Sequence, residues 1–135
     1  LLNRDIMRNR YRNAMIGLPV EEKLSNADES FLLKIDQLIA SEISSPDFGV
    51  DRIVETMLVS RSALYTRFKE LTGKSIGTHI TEYRLLRAKE MLRQKDMSVN
   101  EISEALGFRS QRYFSTFFKE RTGVTPTAYR NSYYE

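Results

Sequence analysis

Cysteine is absent from this 135-residue chain, and histidine occurs once, at His79. Without cysteine there is no disulfide and no thiolate-ligated zinc, a composition that suits a reducing compartment. A single histidine is a poor base for a histidine metal site or a Ser-His-Asp triad. His79 lies inside a helical pattern and reads as an ordinary surface or core residue. No apolar run approaches the ~20 residues needed to span a bilayer, and no basic start with an apolar centre marks a signal peptide. The expectation is a soluble, cytoplasmic chain with no membrane contact. Paired carboxylates, metal-ligand spacing, a nucleophile elbow and a phosphate loop are also missing, which argues against an enzyme and leaves no cofactor to expect.

What is present is an apolar content of 41%, enough for a core in one domain or two small ones. The formal net charge of +3 is unevenly spread. Residues 1–25 carry five basic and three acidic groups, residues 26–49 one and five, and residues 50–135 fifteen and ten. The basic surplus sits in the last stretch, where clustered cations suit a phosphate-binding surface.

The stretch Ser98 to Arg130 marks its own boundaries. Ser98 and Glu101 form an S-x-x-E capping box, and Val99, Ile102 and Leu106 follow on one helical face. Gly107 ends that helix by entering the left-handed conformation, Gly107-Phe108-Arg109 makes a turn, and Ser110 caps the next helix. From Ser110 to Thr122, Phe114, Phe117 and Phe118 point to a core rather than stack on bases. Gln111, Arg112, Ser115, Thr116 and Lys119 lie on or near the opposite surface.

The same pattern occurs earlier. Val50 to Gly73 repeats Val99 to Gly123: Val50 pairs with Val99, Ile53 with Ile102 and Met57 with Leu106. After one extra residue, Arg109, Ser60 pairs with Ser110, Leu64 with Phe114, Phe68-Lys69-Glu70 with Phe118-Lys119-Glu120, and Thr72-Gly73 with Thr122-Gly123. The chain therefore carries two helix-turn-helix units. Between them, 75–93 reads as one long helix with a broad apolar face that includes Ile80, Tyr83, Leu85, Leu86, Ala88 and Leu92. At ~1.5 Å per residue it spans about 28 Å. That length suits two reading helices held one DNA turn, ~34 Å, apart. Its Arg84, Arg87, Lys89 and Arg93 read as a solvated or core-capping face first and a phosphate-binding face second.

Upstream, 28–44 forms an amphipathic helix on Phe31, Ile35, Leu38 and Ile39, with Asp28 and Glu29 at its positive dipole end. Its acidic exterior makes it scaffold. Ser45-Pro46-Asp47-Phe48-Gly49 breaks the pattern. At the far end, Thr125 and Pro126 open a short closing helix. Residues 1–27, with Arg4, Arg8, Arg10 and Arg12 and then Gly17-Leu18-Pro19, read as a basic linker or the tail of an upstream domain. The missing initial Met suggests a fragment. The expected architecture is all-α: about seven helices forming two helix-turn-helix subdomains (50–73 and 98–123) on a long central helix (75–93), together a DNA-binding domain over 28–135.

Ser60-Arg61-Ser62, Gly107-Phe108, Tyr113-Phe114-Ser115 and Gly123-x-x-Pro126-x-x-Tyr129-Arg130 fall where the pattern of one known family puts them. Over roughly residues 28–132 the sequence resembles the DNA-binding domain of the AraC/XylS transcription regulators. The basic stretch before Asp28-Glu29-Ser30-Phe31 is further similar to the junction in hybrid two-component sensor-regulators of the phosphorelay type, where a receiver domain lies upstream. The resemblance implies double-stranded DNA as partner, entered by the third and sixth helices in adjacent major grooves. RNA polymerase, an upstream receiver or sensor domain, and a second copy of the chain are further partners of that kind.

Carried over position by position, the resemblance implies base contacts from Ser62, Tyr65 and Thr66 in the first unit and from Gln111, Arg112 and Thr116 in the second, with Ser115 beside them. Arg61, Lys69, Arg109 and Lys119 are left for phosphates. Gln pairs bidentately with adenine and Arg with guanine, while Thr and Tyr meet a thymine methyl. Thr66 and Thr116 stand where the family often has Arg. That leaves two readings open, a preference shifted towards A and T or compensation by Arg67 and Arg112. Leu58 stands where the first turn usually has Gly, so that turn is expected to be strained or differently shaped. The competing reading of the whole chain is a helical protein-interaction module, motivated by the acidic first helix and these two absent arginines.

Overall fold

The computed structural model describes residues 24–134, which form seven α-helices and no strand. The arginine-rich stretch Arg4 to Arg12 and the Gly17-Leu18-Pro19 break lie outside the described residues. In chain order the helices are α1 (Asn26–Glu42), α2 (Val50–Met57), α3 (Arg61–Thr72), α4 (Ile76–Leu92), α5 (Val99–Ala105), α6 (Gln111–Thr122) and α7 (Pro126–Tyr133). Helix α1 opens two residues before the expected Asp28, because Ser25 Oγ accepts the Asp28 amide at 3.1 Å and so supplies the cap. No helix among the described residues is long and apolar enough to cross a membrane.

The described residues divide into two compact units, one of residues up to Ala40 with Gly49–His79, the other of Ser41–Phe48 with the chain from Ile80 onwards. The core of the first unit comes from Leu32, Ile35 and Ile39 of α1, Ile53 of α2, Leu64 and Phe68 of α3, and Ile76 of α4, all essentially solvent-free. Each such side chain contributes about 1.5–3 kcal/mol by leaving water. Leu38, expected on the buried face of α1, is only half-buried. His79 is a core residue: its Nε2 lies 2.7 Å from Asp36 Oδ1, and its ring centroid is 5.0 Å from that of Phe68.

The second unit buries Ala88, Met91 and Leu92 of α4 with Ile102, Leu106, Phe114 and Phe118. Phe108 in the turn packs its ring 5.2 Å from Phe114 and 5.0 Å from Phe117, and Tyr129 of α7 meets Phe118 edge-on at 5.4 Å. Leu86, placed on the apolar face of the long helix by its spacing, is instead 49% exposed. The reason is geometric: Ala88, Met91 and Leu92 already fill the inward stripe of α4, and Leu86 falls outside it.

Of the basic residues on and just after α4, Arg84 caps the end of α5, Arg87 is ion-paired on its own helix and Arg93 reaches α7. Arg84 Nε donates to the Leu106 carbonyl at 3.1 Å, with the guanidinium 5.9 Å from the Phe108 ring. Burial lowers its pKa from the usual arginine value. Arg87 pairs with Glu90 at 2.5 Å, and Arg93 donates to Tyr129 Oη at 3.0 Å. Arg130 ties α7 to the end of α4. Its Nε donates to the Leu92 carbonyl at 2.8 Å, and its Nη2 to the carbonyls of Gln94 at 3.1 Å and Met97 at 2.6 Å. This satisfies carbonyls that a helix end would otherwise leave without partners.

Candidate nucleic-acid interface

Helices α3 and α6 are mounted alike within their own units. Ser60 Oγ accepts the Ala63 amide at 3.1 Å, and Ser110 Oγ accepts the Tyr113 amide at 3.2 Å. At the other ends Gly73 and Gly123 adopt φ of 81° and 84°, their amides donating to the Lys69 and Lys119 carbonyls at 2.8 Å in both cases. Thr72 Oγ1 donates to the Phe68 carbonyl at 2.8 Å and accepts the Lys74 amide at 3.3 Å. Thr122 does the same with Phe118 and Val124, again at 2.8 and 3.3 Å. Left-handed glycine caps and hydroxyl bridges of this kind fix the ends of a helix, and so fix the direction its outer residues face.

The turns before the two helices also match. Gly107 has φ +81°, and a Cβ on it would stand 2.2 Å from the Ile43 carbonyl oxygen, so only glycine fits. In the first unit Leu58 takes the equivalent place with φ 55° and ψ 42°. The first turn therefore keeps the left-handed shape and carries the strain of a branched side chain there. That side chain is 90% exposed and meets no such obstacle.

The capping box ahead of α5 is complete: Ser98 Oγ accepts the Glu101 amide and Glu101 Oε1 accepts the Ser98 amide, both at 3.0 Å. The bonds from the Ser98 backbone and then its side chain hold the Glu101 carboxyl below the usual carboxylate range.

On α3, Arg61, Ser62, Tyr65, Thr66 and Lys69 are exposed; on α6, so are Gln111, Arg112, Thr116 and Lys119, while Ser115 is half-buried. Arg109 is exposed in the turn before α6. Gln111, Arg112, Thr116 and Lys119 form no side-chain hydrogen bond or ion pair among the described residues, so their polar groups are available to a ligand. Arg61 and Arg109 differ. Arg61 is paired with Asp51 and donates to Tyr65 Oη at 3.2 Å, and Arg109 reaches Asp47 Oδ1 at 2.6 Å. Arg67, considered from sequence as a substitute reader, is occupied inside its unit. Its Nη2 donates to Asp28 Oδ1 at 3.1 Å and to the Ala27 carbonyl at 3.3 Å, and its guanidinium sits 4.1 Å above the Phe31 ring.

Tyr113 is the exposed residue that sequence reasoning left out of the site. It is 69% exposed on the first turn of α6, beside Arg112. The repeat held the signal, since Tyr113 aligns with Ala63 and the buried position comes only at Leu64 and Phe114.

Comparison with known proteins matches this arrangement. Residues 53–132 match the sequence model of a helix-turn-helix domain family. Over its full length the chain is 31% identical to histidine kinase P4 of Formosa agariphila, but it spans only 10% of that protein. The C-terminal domain of AraT, a response regulator from Geobacillus stearothermophilus, superposes with a TM-score of 0.71 at 31% identity, covering 82% of this chain and 88% of that one. The DNA-binding domain of AdpA, a global transcriptional factor solved in complex with a target DNA, superposes with a TM-score of 0.67 at 28% identity, covering 76% of this chain and 91% of that one. With two capped helix-turn-helix units and a family match over more than half its length, the chain belongs to the helix-turn-helix family of AraC-type DNA-binding domains.

Proposed function

We propose that this chain is the output domain of a transcription regulator, binding double-stranded DNA in a sequence-specific way and catalysing nothing. The observation that carries the reading is the outer face of α6. Gln111, Arg112 and Thr116 stand exposed, without a side-chain hydrogen bond or ion pair among the described residues, on a helix fixed at both ends. Phosphate contacts set a protein's register on DNA and base contacts set its sequence. Arg112 is suited to guanine, Gln111 to adenine, and Thr116 to a thymine methyl. Helix α3 offers Ser62, Tyr65 and Thr66 in the same way, and Arg61, Lys69, Arg109 and Lys119 serve phosphates. With Arg67 tied to Asp28, Arg112 is the one arginine left to compensate for Thr66 and Thr116.

The histidine kinase and response-regulator relatives support an upstream receiver or sensor domain that controls this one. Contact with RNA polymerase, pairing with a second copy and a cytoplasmic location belong to the same reading, with residues 28–135 as the DNA-binding domain and 1–27 as a basic linker or the tail of an upstream domain. Selection of bound duplexes from a random pool at about 150 mM salt tests it. Two sequence blocks about one helical turn apart support both α3 and α6 as readers in adjacent major grooves. One block restricts reading to a single unit. No enrichment returns the chain to the protein-docking alternative.

A further inference from the structure

Two of the four cations assigned to phosphate already hold a carboxylate. Arg61 is ion-paired with Asp51 in the first turn of α2, and its other terminal nitrogen donates to Tyr65 Oη at 3.2 Å. Arg109 holds Asp47, 62 positions away in sequence, at 2.6 Å. Each pair lies within one unit. Both carboxylates are on the surface, with side chains 83% and 85% exposed, and the arginine side chains are 51% and 66% exposed. Lys69 and Lys119, the other two cations, have no ion pair among the described residues.

Pairs this exposed add little to folding stability, so folding alone does not account for both candidate phosphate-binding arginines having one. Their effect on a polyanion is larger. A guanidinium beside a carboxylate presents little net charge, and a phosphate approaching it meets the carboxylate as well.

We propose that Asp51 and Asp47 are intramolecular counterions, which occupy Arg61 and Arg109 in the free protein and are displaced when duplex DNA binds. They lower affinity and its salt dependence without setting base preference. In the first unit the exchange also frees the Tyr65 hydroxyl, since Arg61 bridges Asp51 and Tyr65. The proposal rests on the DNA-binding reading above and adds two positioning residues that face no base.

Because phosphate contacts do not depend on sequence, the test needs no operator. Binding of the whole chain to a fluorescently labelled random-sequence duplex is titrated across a salt series for the native protein, Asp47→Asn, Asp51→Asn and the double variant. Each substitution is expected to tighten binding by about 1.5- to fivefold, the scale of an exposed ion pair. Each also steepens the log–log salt slope by up to about 0.9. Asp51→Asn in an Arg61→Ala background, and Asp47→Asn in an Arg109→Ala background, lose most of that gain.

A gain that survives intact without the arginine is a through-space charge effect and overturns the proposal, as does unchanged or weaker binding by the single variants. Serine at either position repeats the measurement should an asparagine variant fail to fold. If the native chain binds no duplex even at low salt, the DNA reading falls and takes this inference with it. Native binding with unresponsive variants removes the inference alone.

Discussion

Gly107 and Gly123 share a backbone conformation and differ in what surrounds them. Both have φ above +80°, but a Cβ at Gly107 overlaps the Ile43 oxygen at 2.2 Å and crowds the Ser45 oxygen at 3.0 Å, whereas one at Gly123 meets nothing within 4 Å. Gly123→Ala is expected to cost about 1–2 kcal/mol, the price of a left-handed alanine. Gly107→Ala costs about 3 kcal/mol or more, because backbone oxygens must move as well. Denaturant unfolding of the two variants checks the difference, and equal losses would mean that the backbone near Ile43 yields freely. Leu58 is the natural control, a residue at φ 55° that is tolerated because its side chain points into water. Arg130 is the other residue on which the second unit depends. Its planar fork reaches three carbonyls, and a lysine in its place has neither the geometry nor the number of donors. Arg130→Ala is expected to lose about 2–3 kcal/mol, and Arg130→Lys to recover only a minor part of it, read as the thermal midpoint.

At the scale of elements, the chemistry of helix ends was legible in the sequence because it is local. Ser60, Ser98, Ser110 and Thr125 all cap as their spacing indicates, and the complete capping box at Ser98 and Glu101 makes a pH prediction. The Glu101 carboxyl titrates below its ordinary value in the folded chain, so the charged form favours folding. That contribution is complete above the usual carboxylate range and is lost as pH falls through the lowered value. Glu101→Gln removes this part of the acid dependence, and urea midpoints measured from neutral to acidic pH will detect it. What periodicity could not reveal is which groups meet across long sequence separations. Arg67 looks as available as Arg112 in the sequence, yet Asp28, 39 positions away, holds it. Leu86 fits a helical face by count, but the width of that face is set by the neighbours in the fold, and Leu86 lies outside it.

For the molecule as a whole, the repeat made both the all-α architecture and the pair of candidate reading faces legible, since two copies of one pattern fix which positions are core. The carboxylates that accompany Arg61 and Arg109 were not legible, because no local pattern links Asp47 to a residue 62 positions on. With Asp47 and Asp51 both removed, four unopposed phosphate-directed cations predict a log–log salt slope of about −3.6 and a roughly 150-fold fall in duplex affinity between 50 and 200 mM salt, while the native chain, with two of the four paired, is expected to have a shallower slope. A slope near zero in fluorescence titrations would argue that binding, if any, is not through phosphates. The matched mounts of α3 and α6 have one more consequence. Since serine, threonine and glycine hold each helix by the same bonds at nearly the same distances, what a helix displays is independent of what holds it. The outer residues then act as an exchangeable cassette. Arg61→Gln, Ser62→Arg and Tyr65→Ser together, which copy Gln111, Arg112 and Ser115 onto α3 beside the shared Thr66, should turn a selected site with two different halves into one that repeats the same half twice.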